Sequence, residues 1–167
     1  MAGLQQLRKR LKSIRATGQL AEAMRTAATI KYSRVSKVRE EFTPYADGSA
    51  DMLALLGRFG IRRETETVSE RNCLVLFGSN RGLCGGFNAE LFRFMERTLA
   101  GEAVPPLIVS CSRKASAYCR EHSLEYEEHI LSDVPEYEEA HALCERLEAL
   151  YTSGAVNRVR LIYQGYR

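Results

Sequence analysis

Residues 4–42 read LQQLRKRLKSIRATGQLAEAMRTAATIKYSRVSKVREEF. Taken in sevens from Leu7, the segment gives Leu7, Ile14, Ala21, Ala28, Val35 and Phe42, all apolar. A companion line begins with Leu4 and Leu11, then passes to Gly18, Arg25, Tyr32 and Arg39. Apolar residues recurring every three or four positions make one seam of a helix that winds against another helix. No proline occurs in residues 1–43, and Gly3 and Gly18 are the only glycines there. Alanine, leucine, arginine and lysine, which dominate the segment, are strong helix formers. Roughly forty helical residues span about 60 Å, more than the width of a small domain. Leaving Leu4, Leu7, Leu11 and Ile14 in water forgoes about 1.5–3 kcal/mol each. The seam therefore asks for a second helix, from this chain or from another.

The same segment is basic. Between Met1 and Glu40 stand ten Lys or Arg against Glu22 and Glu40 alone. Residues 121–150 reverse the balance, with ten acids and one base, Arg146, so a net charge of +3 conceals a two-ended chain. A basic helix also suits nucleic acid or an anionic membrane. The second is disfavoured by the lack of Trp and by a first Phe only at position 42.

The 167 residues, 45% hydrophobic, suit one domain plus an extension. No run of eighteen apolar residues is present, and the N-terminus lacks the apolar stretch of a secretory signal. Cys73, Cys84, Cys111, Cys119 and Cys144 form no C-x-x-C pair and are expected to be reduced thiols. His122, His129 and His141 have no metal-ligand spacing and are expected on the surface. No metal, cofactor or catalytic residue is expected.

Thr43-Pro44 marks an expected kink, and Asp47-Gly48-Ser49 a further loosening, before Ser49–Phe59 resumes a helical pattern. The reading divides the chain into a long helix over 1–59, a linker over 60–71 and a domain over 72–167. Cys73–Phe77 is a continuous apolar run ending at Gly78, the mark of a strand buried on both faces. Ala89–Leu99 reads as a helix with Leu91, Phe92, Met95 and Leu99 inward. Leu107–Val109 is a second strand, Ser112 caps a short helix to about Glu121, and Leu124–Ile130 is an edge strand. Pro135 opens a helix to about Tyr151 with Tyr137, Ala140, Leu143, Cys144 and Leu147 inward, and Val156–Tyr163 is the last strand. Strands alternating with helices indicate an α/β fold: a long N-terminal coiled-coil helix and a small Rossmann-like, mainly parallel domain.

Between the first strand and its helix lies Ser79-Asn80-Arg81-Gly82-Leu83-Cys84-Gly85-Gly86-Phe87-Asn88, where phosphate-binding loops occur. It has neither the Gly-Lys-Ser/Thr ending of a P-loop nor the G-x-G-x-x-G of a dinucleotide site. No motif ties a histidine to Cys84, which is expected to be a small packing thiol.

The motifs in order carry a resemblance. Met1-Ala2-Gly3-Leu4, Arg8-x-Arg10-Leu11-x-Ser13, Thr17-x-Gln19-Leu20-x-x-Ala23-Met24 and Ala27-Ala28-x-x-Lys31 resemble the N-terminal helix of the gamma subunit of F-type ATP synthases. The loop 79–88 is similar to that family's S-D-R-G-L-C-G-x-[FY]-N, with Asn80 in place of Asp. Gly154–Tyr166 is similar to the family's strand before its C-terminal helix. Ala21-Glu22 stands where members often carry a base ahead of Ala-Met.

The resemblance implies a non-catalytic rotor subunit. Its two terminal helices form the shaft inside the alpha and beta subunits, and its α/β domain lies near epsilon and the membrane c-ring. It implies that the family chain continues past Arg167 into the second shaft helix. It also implies a peripheral place on the cytoplasmic face of the bacterial inner membrane. The shaft contacts would be made by Leu7, Leu11, Ile14, Met24, Arg25, Ala28 and Lys31. The loop motif falls on Arg81, Gly82, Leu83, Cys84, Gly85, Gly86 and Asn88. The alternative on the residues alone is an α/β ligand-binding module with a coiled-coil dimerisation arm.

Overall fold

The computed structural model describes residues 2–59 and 69–165. Most of the expected linker, 60–68, lies outside the described residues. The chain divides into two compact units, one a single helix and the other an α/β sheet.

Helix α1 runs Ala2–Arg58, 57 residues, or roughly 85 Å at 1.5 Å per residue. It continues through Pro44, and Asp47-Gly48-Ser49 stays helical, so the expected loosening at 47–49 does not occur. Proline removes one backbone donor from a helix interior. Just ahead of it Thr43 Oγ1 donates to the Arg39 carbonyl at 2.7 Å. Thr17, Thr26 and Thr29 make the same bond four residues back, at 3.0, 3.1 and 3.0 Å. This is how a β-branched hydroxyl is accommodated in a helix without competing for its amides.

The second unit contains β1 (Asn72–Leu76), α2 (Phe87–Ala100), β2 (Leu107–Ser110), α3 (Arg113–Glu121), β3 (Tyr126–Glu128), α4 (Tyr137–Thr152) and β4 (Arg158–Ile162). The strands form one sheet in the order β3-β2-β1-β4, every pair parallel. The expected edge strand is at the edge, shortened to three residues. In β1, Cys73 pairs with Leu107 on one side and Val159 on the other.

Alternation along β1 builds two cores. Cys73 and Val75 join Leu107, Val109, Cys111, Leu143 and Leu150 on the α4 face. Leu74 and Leu76 join Leu91, Met95, Ile108, Ala115, Cys119 and Ile162 on the α2/α3 face. That double burial explains why β1 reads as an unbroken apolar run. In α4 the buried stripe is Leu143 and Leu150 with Leu147 half-covered, while Tyr137, Ala140 and Cys144, expected inward, are exposed. Tyr137 and Ala140 precede the first buried residue of α4, Leu143, and Cys144 lies one position further round the helix; Tyr137 lies against His141 at 5.5 Å between rings.

The helix starts use local chemistry legible in the sequence. Ser112 caps α3 by accepting from the Ala115 amide at 3.3 Å. Glu136 and Glu139 form a capping box at α4, in which the Glu136 amide donates to Glu139 Oε2 at 3.0 Å. Amide and hydroxyl donors from Glu136 and Ser132 hold the Glu139 carboxyl below its ordinary pKa. Arg146 donates two bonds to Glu127, at 2.8 and 2.6 Å, and holds that carboxyl low as well.

All five cysteines are free, with Cys73, Cys111 and Cys119 buried and Cys84 and Cys144 exposed. Burial pushes Cys73 and Cys119 up to about 11 and Cys111 up to about 12, from an ordinary value of 9.0. A thiol reagent at pH 8 should therefore modify Cys84 and Cys144 in the native chain and the other three only after denaturation. Above pH 9 the unfolded thiols lose protons that the folded ones keep. Their contribution to stability is whole below pH 9 and is lost as pH rises through about 11 to 12. Urea midpoints measured from pH 8 to 11 should fall, and fall less when Cys111 is replaced by Ala and compared with its own midpoint at pH 8.

Candidate functional site

Two features fall on the candidate residues: the seam of α1 and the loop after β1. Every large apolar residue of the seam is exposed, with Leu7 at 64%. Leu11, Ile14, Met24 and Val35 are exposed as well, as are Ala28 and Lys31. A straight α-helix drifts about 20° per heptad from a strict seven-residue repeat. From Leu7 to Phe42 the drift accumulates to about 100°. The line therefore stays against a neighbour only if two helices supercoil, as a left-handed coiled coil does.

On the same helix Glu22 receives two bonds from Arg25, at 3.0 and 2.6 Å. Both side chains are well exposed, and pairs of this spacing stabilise a helix by about 0.2–0.5 kcal/mol. The pair has a larger effect on the surface field. It neutralises one charge of the basic stretch beside Met24, which is the physical consequence of an acid standing at position 22.

The loop 79–88 starts where β1 ends, at the switch point where the strand order turns from β2 on one side to β4 on the other. Asn88, the second residue of α2, closes it. Its Oδ1 accepts from the Ser79 amide at 3.0 Å, and its Nδ2 donates to Ser79 Oγ at 2.7 Å and to Cys84 Sγ at 3.1 Å. Ser79 Oγ donates to the Arg81 carbonyl at 2.6 Å. Asn80 ties the loop outward, donating to the Leu131 carbonyl at 2.7 Å and accepting from the Arg113 amide at 3.0 Å. Arg81 reaches Asp133 at 3.6 Å. The segments following β1, β2 and β3 are thus pinned together at one end of the sheet.

Asn80 and Ser79 were not singled out from the sequence as site residues. Their signal was positional, a serine and an asparagine directly after a strand that ends in glycine. The loop's chemistry is bracing. Cys84 is exposed rather than packed, contrary to expectation, and its bonded neighbours are Asn88, Ser79 and the Arg81 carbonyl. Leu83 stands out with left-handed backbone at φ 62 and 90% exposure, whereas Gly85 takes the other left-handed position, φ 58, without steric cost. Arg81 is exposed and Gly82 has open space around it. Gly86 is the N-cap of α2. His129 is half-buried rather than on the surface, with Nε2 3.5 Å from the Glu139 carbonyl. No group of His, Cys, Asp or Glu among the described residues could hold a metal ion.

Comparison with known proteins places these features together. The family model described as ATP synthase matches residues 3–167. The ATP synthase gamma chain of Synechococcus elongatus is 35% identical over 178 residues, covering 98% of this chain and 55% of that one. The gamma chain of Bacteroides thetaiotaomicron is 29% identical, over 100% of this chain and 59% of that one. That of Moorella thermoacetica is 29% identical, over 98% and 60%. The chain thus spans somewhat more than half the length of the curated relatives it matches.

The loop yields two expectations. A Cβ at Gly78 would stand 2.7 Å from Ser112 Oγ and 3.2 Å from Asn88 Oδ1. Gly78→Ala should therefore cost about 1–3 kcal/mol, read as a lowered urea midpoint. Asn88→Ala removes three bonds at once and should cost a similar amount, about 1–3 kcal/mol. It should also speed thiol modification of Cys84 several-fold, while Cys144 reacts at an unchanged rate.

Proposed function

The chain belongs to the gamma-chain family of ATP synthases, and from that premise we propose that it is a non-catalytic rotor component. In this reading it couples ion flow through the membrane ring to conformational change in the catalytic subunits. The observation that carries the reading is α1: 57 residues of helix with a seven-residue apolar seam exposed along its length. An element that long and that apolar on one side gains most by pairing with another helix, and a two-helix shaft is stiff where a single helix bends.

The partners that go with this role are the alpha and beta subunits around the shaft, and epsilon and the c-ring at the foot. Leu7, Leu11, Ile14 and Ala28 would face the second shaft helix. Met24, Arg25 and Lys31 would face the surrounding subunits, where basic side chains meet acidic ones through attraction that salt screens over about 8–10 Å. The α/β unit, braced by Asn80 and Asn88, would be the rigid foot that transmits torque. Peripheral attachment at the cytoplasmic face of the bacterial inner membrane goes with the same role. Among the described residues no helix is long and apolar enough to cross a membrane.

Assembly tests this. The chain mixed with alpha and beta subunits and with the part of the Synechococcus elongatus gamma chain outside the matched region should co-elute with them. Replacing Leu7, Leu11 and Ile14 together by Ser should weaken co-elution at least tenfold, since each apolar contact contributes about 1.5–3 kcal/mol. Raising salt from 50 to 500 mM should weaken it further. Unchanged assembly by the triple variant would remove the shaft reading.

A further inference from the structure

We propose that α1 pairs with α1 of a second copy of this chain, antiparallel and in one register, about a two-fold axis at the middle of the helix. The pairing rests on the seam itself and not on the rotor reading. The same surface would serve a second shaft helix, so the two occupants compete for it.

The seam is made of two interleaved lines, one from Leu4 through Leu11 to Leu53 and one from Leu7 through Ile14 to Leu56, both in steps of seven. Reversing one of two helices sets the Leu4 line of each against the Leu7 line of the other, knob into hole. Helix α1 spans Ala2–Arg58, so two reversed copies laid flush bring together positions whose numbers sum to 60, as 2 and 58 do. That flush alignment is also a seam register. Leu4 falls opposite Leu56 and Leu7 opposite Leu53, with no slip needed to bring the lines together.

Side-chain sizes match in that register. The two aromatic seam residues each meet a small one, Phe42 opposite Gly18 and Tyr32 opposite Ala28. Leu11 falls opposite Ser49 and Ile14 opposite Ala46. Gly18 has open space where a Cβ would stand, and Phe42 is 57% exposed. The two charged seam residues are also separated, Arg25 opposite Val35 and Arg39 opposite Ala21. A parallel pair would set Gly18 on Gly18, Arg25 on Arg25 and Arg39 on Arg39, a void and two like-charge contacts along one axis. It would also lay the basic stretch 8–15 on itself, whereas the antiparallel pair lays it beside the stretch that carries Asp47 and Asp51.

The area suffices. A Val, Leu, Ile or Phe taken out of water removes about 60–120 Å² of apolar surface. The large seam residues, among them Leu7, Ile14 and Leu53 at 64%, 68% and 69% exposure, bring two copies to roughly 1,000–2,000 Å² in total, the range of specific interfaces. The contact is isologous and closes on itself, so assembly stops at two copies. Arg25 and Arg39 in the seam and the basic excess lower the affinity, so the pair forms at roughly 50 µM and separates below about 1 µM.

Sedimentation of the full chain should give twice its mass of 18.8 kDa at roughly 50 µM and the single mass below about 1 µM. Gly18→Phe crowds Phe42 of the second copy and Phe42→Gly leaves a void, and each should weaken the dimer at least tenfold. The double variant, which again sets Phe against Gly in this register alone, should bind at least tenfold better than either single one. With Cys84 and Cys144 replaced by Ser, a mixture of Leu11→Cys and Ser49→Cys chains should form a mixed disulfide at least tenfold faster than either chain cross-links with itself. A single mass at every concentration, no recovery in the double variant, or self-cross-linking by Leu11→Cys chains would each overturn the proposal. None of these outcomes bears on assembly with alpha and beta subunits, so the dimer and the shaft reading fail separately.

Discussion

Strand β1 is dry on both sides: Cys73, Leu74, Val75 and Leu76 are all fully buried. The rest of the α/β unit depends on that burial. At about 25 cal/mol per Å² of apolar surface removed from water, the two clusters meeting at β1 outweigh any ion pair on the surface. The same accounting singles out the apolar surface left in water. The seam of α1 is the longest such stretch among the described residues.

The two units meet that demand differently. In the α/β unit tight polar contacts lock loops and helix starts onto the sheet. Asn88 closes the loop after β1, Ser112 caps α3, and Glu139 caps α4. They brace an already packed sheet. Helix α1 has few internal partners by comparison. It has side-chain bonds to its own carbonyls and short-range pairs such as Glu22 with Arg25. Its shape is set by backbone propensity, and its apolar seam stays exposed.

Much of this was legible in the sequence because periodicity survives translation into structure. The apolar run at Cys73–Phe77 declared a strand covered on both faces. The seven-step line from Leu7 declared a long helix, and Ser112 declared a helix start. Other features depended on tertiary placement. The helical pattern of α4 could not say that its buried stripe begins only at Leu143 and leaves Tyr137, Ala140 and Cys144 in solvent. Pro44 marked a kink by propensity, and the helix runs on through it. The loop motif revealed its glycines, but Asn80 as the tie to Leu131 and Arg113 lay beyond any short-range pattern, since its partners are 51 and 33 residues away.

The most direct measurement of the central claim is amide hydrogen exchange along α1. It compares the chain alone with the chain assembled with alpha and beta subunits and the unmatched part of a longer gamma chain. The account predicts that amides from Leu7 to Lys31 slow at least tenfold on assembly, while those of β1, already dry, stay unchanged. Exchange along α1 that is the same in both states would contradict it.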